Sequence, residues 1–355
     1  MQSAHGELED SHIIVKNTED IGRLYSKSRL GKTTSENHLK LSLIEAAYLL
    51  DDQKLTVHRN KQKISFPLLV SYAAALDVGF ETKFIIFQSL RNRGQQVTLC
   101  KNSSIITFEQ TKKEENGHEQ HIGVIALSER NQPNLFQIKE IILQTRSKYD
   151  EIWIALADEE GDVTYYLAAH QQLQGCIPHH DYPKLIGVLL KDRALLFDET
   201  NVESLHSKEF YGKFFGNGLQ LSLVEAAYLI QQDILTLTIP HKEEPLSNHD
   251  FLKEVTHYQP DLPLRLEIFR DLKRRNMLVK TGFKFGTHFR AYTQPPDKNH
   301  AEYLVHAITD QYNGSWAEIS RAVRLAHSVN KTFAFALFDK TNEDIFYLSI
   351  RRLRP

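Results

Sequence analysis

The sequence predicts an α/β and α+β protein built as a tandem duplication, with two small mixed units of helices and strands in each repeat. Three observations support this fold class. Similar blocks recur about 180 residues apart, apolar residues follow helical periods in some segments and strand periods in others, and 355 residues suffice for two or more domains.

The repeat consists of four matched blocks in the same order. LKLSLIEAAYLL, from Leu39 to Leu50, returns as LQLSLVEAAYLI, from Leu219 to Ile230. The other three pairs, at offsets that also lie between 180 and 182, are 24–32 with 205–213, 87–94 with 269–276, and 154–167 with 335–348. This order and spacing indicate duplication and fusion, with a boundary near residue 175.

Each repeat begins with short strands, such as HIIV and ALLF, followed by an amphipathic helix. In the second repeat the apolar positions of that helix recur at intervals of three and four, at Leu223, Ala226, Ala227 and Ile230. A basic helix, strands, another helix and further strands then complete the repeat. We therefore predict an α+β unit and an α/β unit in each half.

The last part of the second repeat has the clearest pattern. In residues 282–293 and 302–308, apolar and polar side chains alternate and aromatic residues are frequent. This pattern predicts strands. A helix is expected over 313–330, opened by a capping box of Ser315 and Glu318, and 332–338 predicts a buried strand. The domain ranges predicted from these patterns are 1–85, 86–175, 176–260 and 261–355.

Composition excludes several classes of protein. The formal net charge of −2 argues against indiscriminate coating of nucleic acid, although residues 265–290 carry eight basic and two acidic side chains. That stretch predicts either a phosphate-binding patch or a solvated helix face followed by a charged strand. The C-terminal RRLRP adds further positive charge.

The two cysteines, Cys100 and Cys176, can form neither a disulfide framework nor a typical zinc site, since they lack close Cys or His spacing. The polar, acidic opening segment has no signal-peptide pattern, and no apolar run reaches the roughly 20 residues that cross a bilayer. We therefore expect a cytoplasmic protein without a membrane partner.

Three side chains in the second repeat are candidates for proton transfer and charge stabilisation. Tyr292 and His300 flank a loop with two prolines, and Lys331 follows the last helix. Histidine is a plausible acid because its reference pKa is near neutrality. Judged alone, a single tyrosine or histidine is more often structural.

Along the last helix, basic and polar residues recur on one face. They could present cations to a phosphate backbone, or they could simply face solvent. These residues are Arg321, Arg324, Ser328 and Lys331.

KFGTHFRAY, HAEYLVH and RAVRLAHSVNK together resemble the signature of archaeal tRNA-intron (tRNA-splicing) endonucleases, and LSLVEAAYL and FYGKFFG are similar to the N-terminal domain of that family. The resemblance covers nearly all of residues 182–350 and, more faintly, 12–168. It implies a C-terminal restriction-nuclease-like α/β domain in each repeat, inactive in the first.

The family resemblance places the catalytic tyrosine at Tyr292, the histidine at His300 and the lysine at Lys331. By analogy, Tyr292 deprotonates a ribose 2′-hydroxyl, His300 protonates the leaving 5′-oxygen, and Lys331 stabilises the transition state. The implied products are a 2′,3′-cyclic phosphate and a 5′-hydroxyl, with no metal and no cofactor. The implied RNA contacts are Arg324, which would stack on a bulged base, together with Arg321, Lys284 and Arg290.

The sequence departs from the family pattern at two positions. Asn330 stands where arginine is common, and Ala301 stands where serine is common. Both departures bear on RNA affinity or on the orientation of the histidine.

The first repeat does not keep the three residues. Alignment puts Asp150 at the position of Lys331 and Leu143 at that of Arg324, Phe108 lies near the tyrosine position, and His118 or His121 lies near the histidine. An inactive first repeat beside an intact second repeat is typical of the family's fused, homodimeric form.

The resemblance also implies two partners, a precursor tRNA with a bulge–helix–bulge and a second copy of the chain; DNA is not expected. An acidic loop matches the family loop that docks into a basic groove of the partner. Its residues are Asp158, Glu159, Glu160 and Asp162.

Two other functions are alternatives. A non-catalytic RNA-binding scaffold of the same fold would lack one or more of the three residues. A metal-dependent, restriction-type nuclease would need an acidic pair close before a lysine on adjacent strands, and 332–339 shows none.

Overall fold

A computed structural model describes residues 3–100, 106–113, 119–241, 244–296 and 299–355. Within these residues the chain is a mixed α/β structure with three sheets, of six, ten and five strands. None of the described helices is both long and apolar enough to span a membrane.

The first sheet lies near the N-terminus, with strand order β3-β4-β2-β1-β5-β6. Helix α2 begins at a capping box in which Ser42 and Glu45 bond to each other's backbone N–H groups. The elements of this unit are β1 (Ala4–Glu9), β2 (His12–Val15), α1 (Thr18–Ile21), β3 (Lys32–Thr33), β4 (Leu39–Ser42), α2 (Leu43–Asp51), β5 (Leu55–Arg59), β6 (Gln62–Ile64), α3 (Phe66–Leu76) and α4 (Phe80–Asn92).

The chain then contributes five strands and one helix to the large sheet. Helix α5 has an asparagine cap, since the side chain of Asn134 accepts the N–H of Gln137. The elements are β7 (Val97–Leu99), β8 (Phe108–Lys113), β9 (Glu119–Ser128), α5 (Leu135–Thr145), β10 (Glu151–Ala157) and β11 (Val163–His170).

The five-stranded sheet, of order β14-β15-β13-β12-β16, follows in the second half. The predicted helix at 223–230 is confirmed, and it starts at a second capping box of Ser222 and Glu225. The elements are β12 (Leu185–Leu189), β13 (Arg193–Leu196), α6 (Glu199–Glu209), β14 (Lys213–Phe215), β15 (Gly218–Ser222), α7 (Leu223–Gln231), β16 (Leu235–Thr238), α8 (Asn248–Thr256) and α9 (Leu262–Arg274).

The last segment completes the large sheet. The predicted capping box of Ser315 and Glu318 is present and opens the predicted helix. The elements are β17 (Leu278–Thr281), β18 (Phe289–Tyr292), β19 (Tyr303–Ile308), α10 (Trp316–Ser328), β20 (Thr332–Asp339) and β21 (Asp344–Leu353).

The ten-stranded sheet joins the two halves because β11 pairs antiparallel with β21, from Tyr165 opposite Leu353 to His170 opposite Leu348. Its strand order is β17-β18-β19-β20-β21-β11-β10-β9-β8-β7. One face packs against α5 and α10 in a single apolar core that contains residues of both halves. The other face packs against α4 in the first half and α9 in the second.

Strand pairings in the two halves of this sheet match at a shift of 181 residues. Phe108 lies opposite Val124 as Phe289 lies opposite Val305. This register corrects one prediction, because it makes Phe108 the counterpart of Phe289 and puts Thr111 at the position of Tyr292. The gaps in the sequence alignment concealed the difference.

Two predicted elements end elsewhere than expected. Within 282–293 only Phe289–Tyr292 is a strand, because Phe283–Phe285 forms a 3₁₀ turn that closes at Gly286 with φ 65°. Helix α10 ends at Ser328, and Asn330 has φ 53°, so Lys331 lies beyond the helix rather than on its basic face. Glycine and asparagine favour such left-handed conformations, which stop regular structure.

Candidate active site

The three predicted catalytic residues lie at one end of the large sheet. β18 ends at Tyr292, β19 starts shortly after His300, and β20 starts directly after Lys331. Because β18 runs antiparallel to β19 and β19 runs parallel to β20, the end of β18 and the starts of the other two strands share one edge. The structure therefore brings Tyr292, His300 and Lys331 to the same place.

Ala301, which follows His300 in the chain, contacts both Lys331 and the apolar cluster that contains Tyr292. The Lys331 ammonium group donates a hydrogen bond of 2.7 Å to the Ala301 carbonyl oxygen, directly after His300. Ala301 and Tyr292 belong to one small apolar cluster with Ile177 and Leu278. The imidazole of His300 is exposed, Lys331 is half-buried, and Tyr292 is only 7% exposed. An exposed imidazole can transfer a proton to a bound substrate, and a fixed ammonium group can stabilise the charge of a phosphate.

The loop between Tyr292 and His300 is fixed at its base. Thr293 donates from its N–H and its hydroxyl to the Glu302 carboxylate, at 2.9 and 2.7 Å. The N–H of Cys176 donates to the Thr293 carbonyl oxygen at 2.9 Å. These bonds set where the two catalytic candidates leave the sheet; residues 297 and 298 of the loop lie outside the described residues.

The two departures from the family pattern have local physical explanations. Asn330 has a left-handed backbone with φ 53°, which asparagine tolerates better than arginine does. Ala301 is 4% exposed within an apolar cluster, where a serine hydroxyl would need a buried partner.

Arg321 and Arg324 line a different cleft, of about 400 Å³, between the start of α10 and the strands β10 and β11. The Arg324 guanidinium donates to the Ser320 hydroxyl oxygen from Nη2 at 2.8 Å and from Nε at 3.2 Å. The Tyr166 hydroxyl, from the first half, donates to the same oxygen at 2.8 Å. The predicted row of cations is therefore divided. Arg321 and Arg324 lie in this cleft, whereas Lys331 lies at the catalytic sheet end.

The other two predicted RNA contacts lie on β18 and on the 3₁₀ turn that precedes it. Arg290 is on β18, and its guanidinium carbon is 5.8 Å from the centroid of the Tyr292 ring. Lys284 is exposed on the 3₁₀ turn, and the ring of the next residue, Phe285, has its centroid 6.0 Å from the Lys331 nitrogen. A cation over an aromatic face is a favourable contact.

The excess of positive charge predicted for residues 265–290 is largely neutralised in the fold. Lys273 is 2% exposed and lies 2.8 Å from the Glu209 carboxylate, and Lys280 lies 2.9 Å from that of Glu225. The remaining pairs are Arg265 with Asp261, Arg270 with Glu267, and Arg274 and Arg275 with Asp271. Six of the eight basic side chains in this stretch thus take part in ion pairs within the fold, and phosphate binding there stays a prediction.

The corresponding sheet end in the first half carries different chemistry. At the shift of 181 residues, Thr111, Glu119 and Asp150 occupy the places of Tyr292, His300 and Lys331. The Asp150 carboxylate accepts the N–H of His121 at 2.7 Å, and His121 Nδ1 is 3.3 Å from the Thr111 hydroxyl. His121 is therefore two residues past the histidine position; His118, the other candidate, lies outside the described residues.

The acidic loop is a turn between β10 and β11. Asp158 shapes it, since its carboxylate accepts the N–H groups of Glu160 and Asp162 at 3.0 and 2.8 Å. Glu159 pairs with Arg130 of its own chain at 2.6 Å. The side chains of Glu160 and Asp162 are exposed.

We also searched the described residues for side chains that could together bind a metal ion. Among the residues that the structure describes, no three His, Cys, Asp or Glu side chains are grouped as a metal site requires. Cys100 and Cys176 are both free thiols.

The chain is similar to known proteins along both of its halves. Residues 262–347 match the model of the tRNA intron endonuclease catalytic C-terminal domain, and 4–70 and 185–252 both match that of its N-terminal domain. The chain is 31% identical to a tRNA-splicing endonuclease of Methanococcoides burtonii over 340 residues, which cover 94% of the chain and 95% of that protein.

Two further relatives differ in length. A tRNA-splicing endonuclease of Methanosarcina acetivorans is 31% identical over 349 residues, 96% of this chain and 97% of its own length. The tRNA-splicing endonuclease of Methanothermobacter thermautotrophicus is 36% identical over 169 residues, which are 47% of this chain but 96% of that protein. With domain matches in both halves and relatives of full length, the chain belongs to the tRNA-intron (tRNA-splicing) endonuclease family.

Proposed function

We propose that the chain excises introns by cutting precursor tRNA at bulge–helix–bulge structures, without a metal ion. The observation that carries the proposal is the meeting of Tyr292, His300 and Lys331 at one sheet end in a chain of this family. An RNA with unpaired bulges suits such a site because unstacked nucleotides can be drawn out and held by side chains.

In the proposed reaction the RNA supplies its own nucleophile. Tyr292 takes the proton of a ribose 2′-hydroxyl, the 2′-oxygen forms a bond to the adjacent phosphorus, and the bond from phosphorus to the 5′-oxygen breaks. His300 gives a proton to that leaving oxygen, and Lys331 stabilises the added negative charge. The products are a 2′,3′-cyclic phosphate and a 5′-hydroxyl, so the enzyme is a lyase in outcome.

The proposal includes the architecture of the protein. A tandem duplication, in the four domain ranges given above and with restriction-nuclease-like C-terminal domains, is supported by the strand pairings that match at 181 residues and by the half-length relative. Since the first half has Thr111, Glu119 and Asp150 in place of the catalytic residues, each chain has one active site. Two chains then form a homodimer with two active sites for two bulges.

The test is cleavage of a bulge–helix–bulge RNA in excess EDTA, with identification of the product ends. Cyclic-phosphate and 5′-hydroxyl ends are expected. Cleavage that requires added metal would overturn the proposed mechanism. Folded protein that binds the RNA without cutting it would favour the non-catalytic scaffold.

One substitution in the same assay tests the acid. His300→Ala should abolish cleavage and retain RNA binding, because the leaving oxygen loses its proton donor while the fold keeps its core. His249→Ala, at an exposed histidine on α8, is the matched control and should cut like wild type. Unchanged cleavage by His300→Ala would remove His300 from the proposed role.

A further inference from the structure

The outer face of the five-stranded sheet carries large apolar side chains that are open to solvent. Buried and more exposed positions alternate along β12 and β13, and the buried ones pack in the core with α7. On the opposite face Ile186 is 71% exposed, and Phe197 and Phe215 are each 59% exposed. A contiguous group of exposed apolar side chains indicates contact with another molecule.

Strand pairing brings these three side chains into one row, which we call the aromatic row. Continued by one residue, the register of β12 with β13 places Ile186 beside Phe197, and that of β13 with β15 places Phe197 beside Gly218. Phe215 on β14 pairs with Gly218. A Cβ atom on Gly218 would lie 3.0 Å from Cδ1 of Phe197, so the glycine lets that ring lie close to the sheet surface.

The same face carries positive charge. Lys213, two residues before Phe215 on β14, is exposed and forms no salt bridge among the described residues. Arg193 bonds to the Gln220 side chain at 3.3 Å on this face and pairs with Asp192 in the preceding turn at 2.7 Å. The outward positions of the described strands β12 to β16 include no Asp or Glu. Exposed rings beside cations are the combination with which proteins bind unpaired RNA bases and their phosphates.

The first half of the chain provides an internal comparison. Its six-stranded sheet has the same strand pairings, which identify the positions that correspond to the aromatic row. Those positions hold polar or charged side chains, namely His5, Lys16 and Thr34. The aromatic row is therefore not a requirement of the fold, and it occurs in the half that keeps the catalytic candidates.

The segment that leads into β14 connects the aromatic row to the catalytic sheet end. Phe210 packs against the apolar cluster that contains Tyr292. The Lys280 ammonium group fixes this segment, since it donates to the carbonyl oxygens of Phe210 and Gly212 at 2.6 and 2.9 Å. Phe215 is five residues beyond Phe210, a chain length of at most about 18 Å. Nucleotides near a scissile phosphate at Tyr292 can therefore reach the aromatic row.

We propose that Phe197 and Phe215 stack unpaired bases of the substrate RNA that lie beyond the bulge, and that Lys213 contacts a phosphate between them. The ligand class is single-stranded RNA, and the inference rests on the proposed function. It assigns a binding role to the five-stranded sheet, so the precursor is held at two places, the bulge at the catalytic sheet end and an unpaired flank on the aromatic row.

The experiment compares two RNAs by fluorescence anisotropy in EDTA, both with 2′-deoxyribose at the cleavage sites so that they cannot be cut. One is a bulge–helix–bulge RNA trimmed to its paired ends, and the other has a short unpaired extension at its 5′ or 3′ end. Wild type should bind the extended RNA more tightly. Phe197→Leu/Phe215→Leu should weaken that binding about five- to 150-fold in Kd for each base that no longer stacks.

Three comparisons make the result specific. Phe197→Tyr/Phe215→Tyr should keep the preference for the extended RNA, because tyrosine retains the ring. Both double variants should bind the trimmed RNA like wild type, which shows that they are folded. Tyr25→Leu, at an aromatic side chain that is 44% exposed in the first half, is the matched control and should bind both RNAs like wild type.

An equal loss of affinity in the Tyr25→Leu control would overturn the assignment. If wild type cuts the all-ribose RNA but binds the trimmed and extended RNAs equally, the assignment fails and the proposed function stands. A leucine variant that keeps the wild-type preference but loses a dimer seen for wild type would assign the aromatic row to a contact between two chains instead. Wild-type protein that neither binds nor cuts either RNA would overturn the assignment together with the proposed function.

Discussion

At the scale of single residues, Ser320 is where the first half of the chain reaches the predicted RNA-binding arginine. Its hydroxyl oxygen accepts from Tyr166 and from Arg324, both at 2.8 Å. Tyr166 is 1% exposed and Ser320 8%, so this contact is shielded from water. A first half without the catalytic residues therefore helps to orient the guanidinium that would stack on a bulged base.

This contact gives a testable prediction. Tyr166→Phe removes one hydrogen bond worth about 0.5 to 1.5 kcal/mol, so Arg324 becomes less well oriented and KM for a bulge–helix–bulge RNA should rise about two- to tenfold. Steady-state kinetics at several RNA concentrations measure this change. The effect should fall on KM rather than kcat, because the residues at the catalytic sheet end are untouched.

The same substitution in an Arg324→Ala variant distinguishes an effect on the orientation of Arg324 from an effect on the stability of the fold. In a protein that already carries Arg324→Ala, the change Tyr166→Phe should leave KM unaltered, since there is no guanidinium to orient. An equal rise of KM in both backgrounds would show that Tyr166 acts on the fold and not on Arg324.

The same scale shows what could be predicted from sequence. The spacing of Tyr292, His300 and Lys331, together with the surrounding motifs, indicated a site, and strand order explains why the three residues meet. The partners Tyr166 and Ser320 are 154 residues apart and leave no local pattern. The pairing of Lys273 with Glu209 could not be predicted from the sequence either. A count of charges along one stretch does not include acidic residues that lie far away in the sequence and close in the fold.

At the scale of secondary-structure elements, helix α9 is fixed by a buried ion pair with the end of α6. Lys273 donates to the Glu209 carboxylate at 2.8 Å, and the N–H of His180 donates to the same group at 2.9 Å. Burial alone would raise the pKa of Glu209, but attraction to Lys273 and these hydrogen bonds outweigh it and lower that pKa. The ionised carboxylate is therefore stabilised by folding.

The contribution of Glu209 to the free energy of unfolding should therefore depend on pH. Because the pKa of Glu209 is lower in the folded state, its contribution to stability is complete above the unfolded value of about 4.3. It is lost as pH falls through the folded pKa. Glu209→Gln should cost about 3 to 5 kcal/mol at pH 7, since it leaves Lys273 buried without its partner.

Urea unfolding at pH 7 and below pH 4.3 measures both effects. The difference between wild type and Glu209→Gln should shrink toward acid pH. Glu267→Gln is the control on the same helix, where the partner is the half-buried Arg270, and it should cost less than about 1 kcal/mol. A cost at pH 7 as small as that of the control would mean that the buried pair does not stabilise the fold.

Elements were predicted better than their ends. Periodicity located α7 and α10, and the capping box at Ser315 marked where α10 starts. Termination of α10 at Ser328 and the 3₁₀ turn at Phe283–Phe285 were missed, because both depend on left-handed conformations at Asn330 and Gly286 that no periodicity encodes. The correspondence of Thr111 with Tyr292 required strand register, which became available only with the sheet.

At the scale of the whole molecule, the pairing of β11 with β21 has a consequence for assembly. It closes the two halves of one chain onto each other inside a ten-stranded sheet, so this edge is already used within the chain. The proposed homodimer must therefore use another surface. The acidic loop between β10 and β11 is the candidate, and within it Glu160 and Asp162 have exposed carboxylates that are not part of a salt bridge among the described residues.

Reversing the charge of this acidic loop tests whether the loop forms the dimer contact. Glu160→Lys/Asp162→Lys should convert the homodimer to monomers, because a basic groove that receives the acidic loop would then repel it. Sedimentation velocity should show wild type near twice the 41.0 kDa chain mass and the variant near that mass. Glu159→Gln, at a carboxylate already paired with Arg130, should remain dimeric. Dimers of the double-lysine variant would exclude the loop as the contact, and a wild type that sediments as a monomer would exclude the homodimer itself.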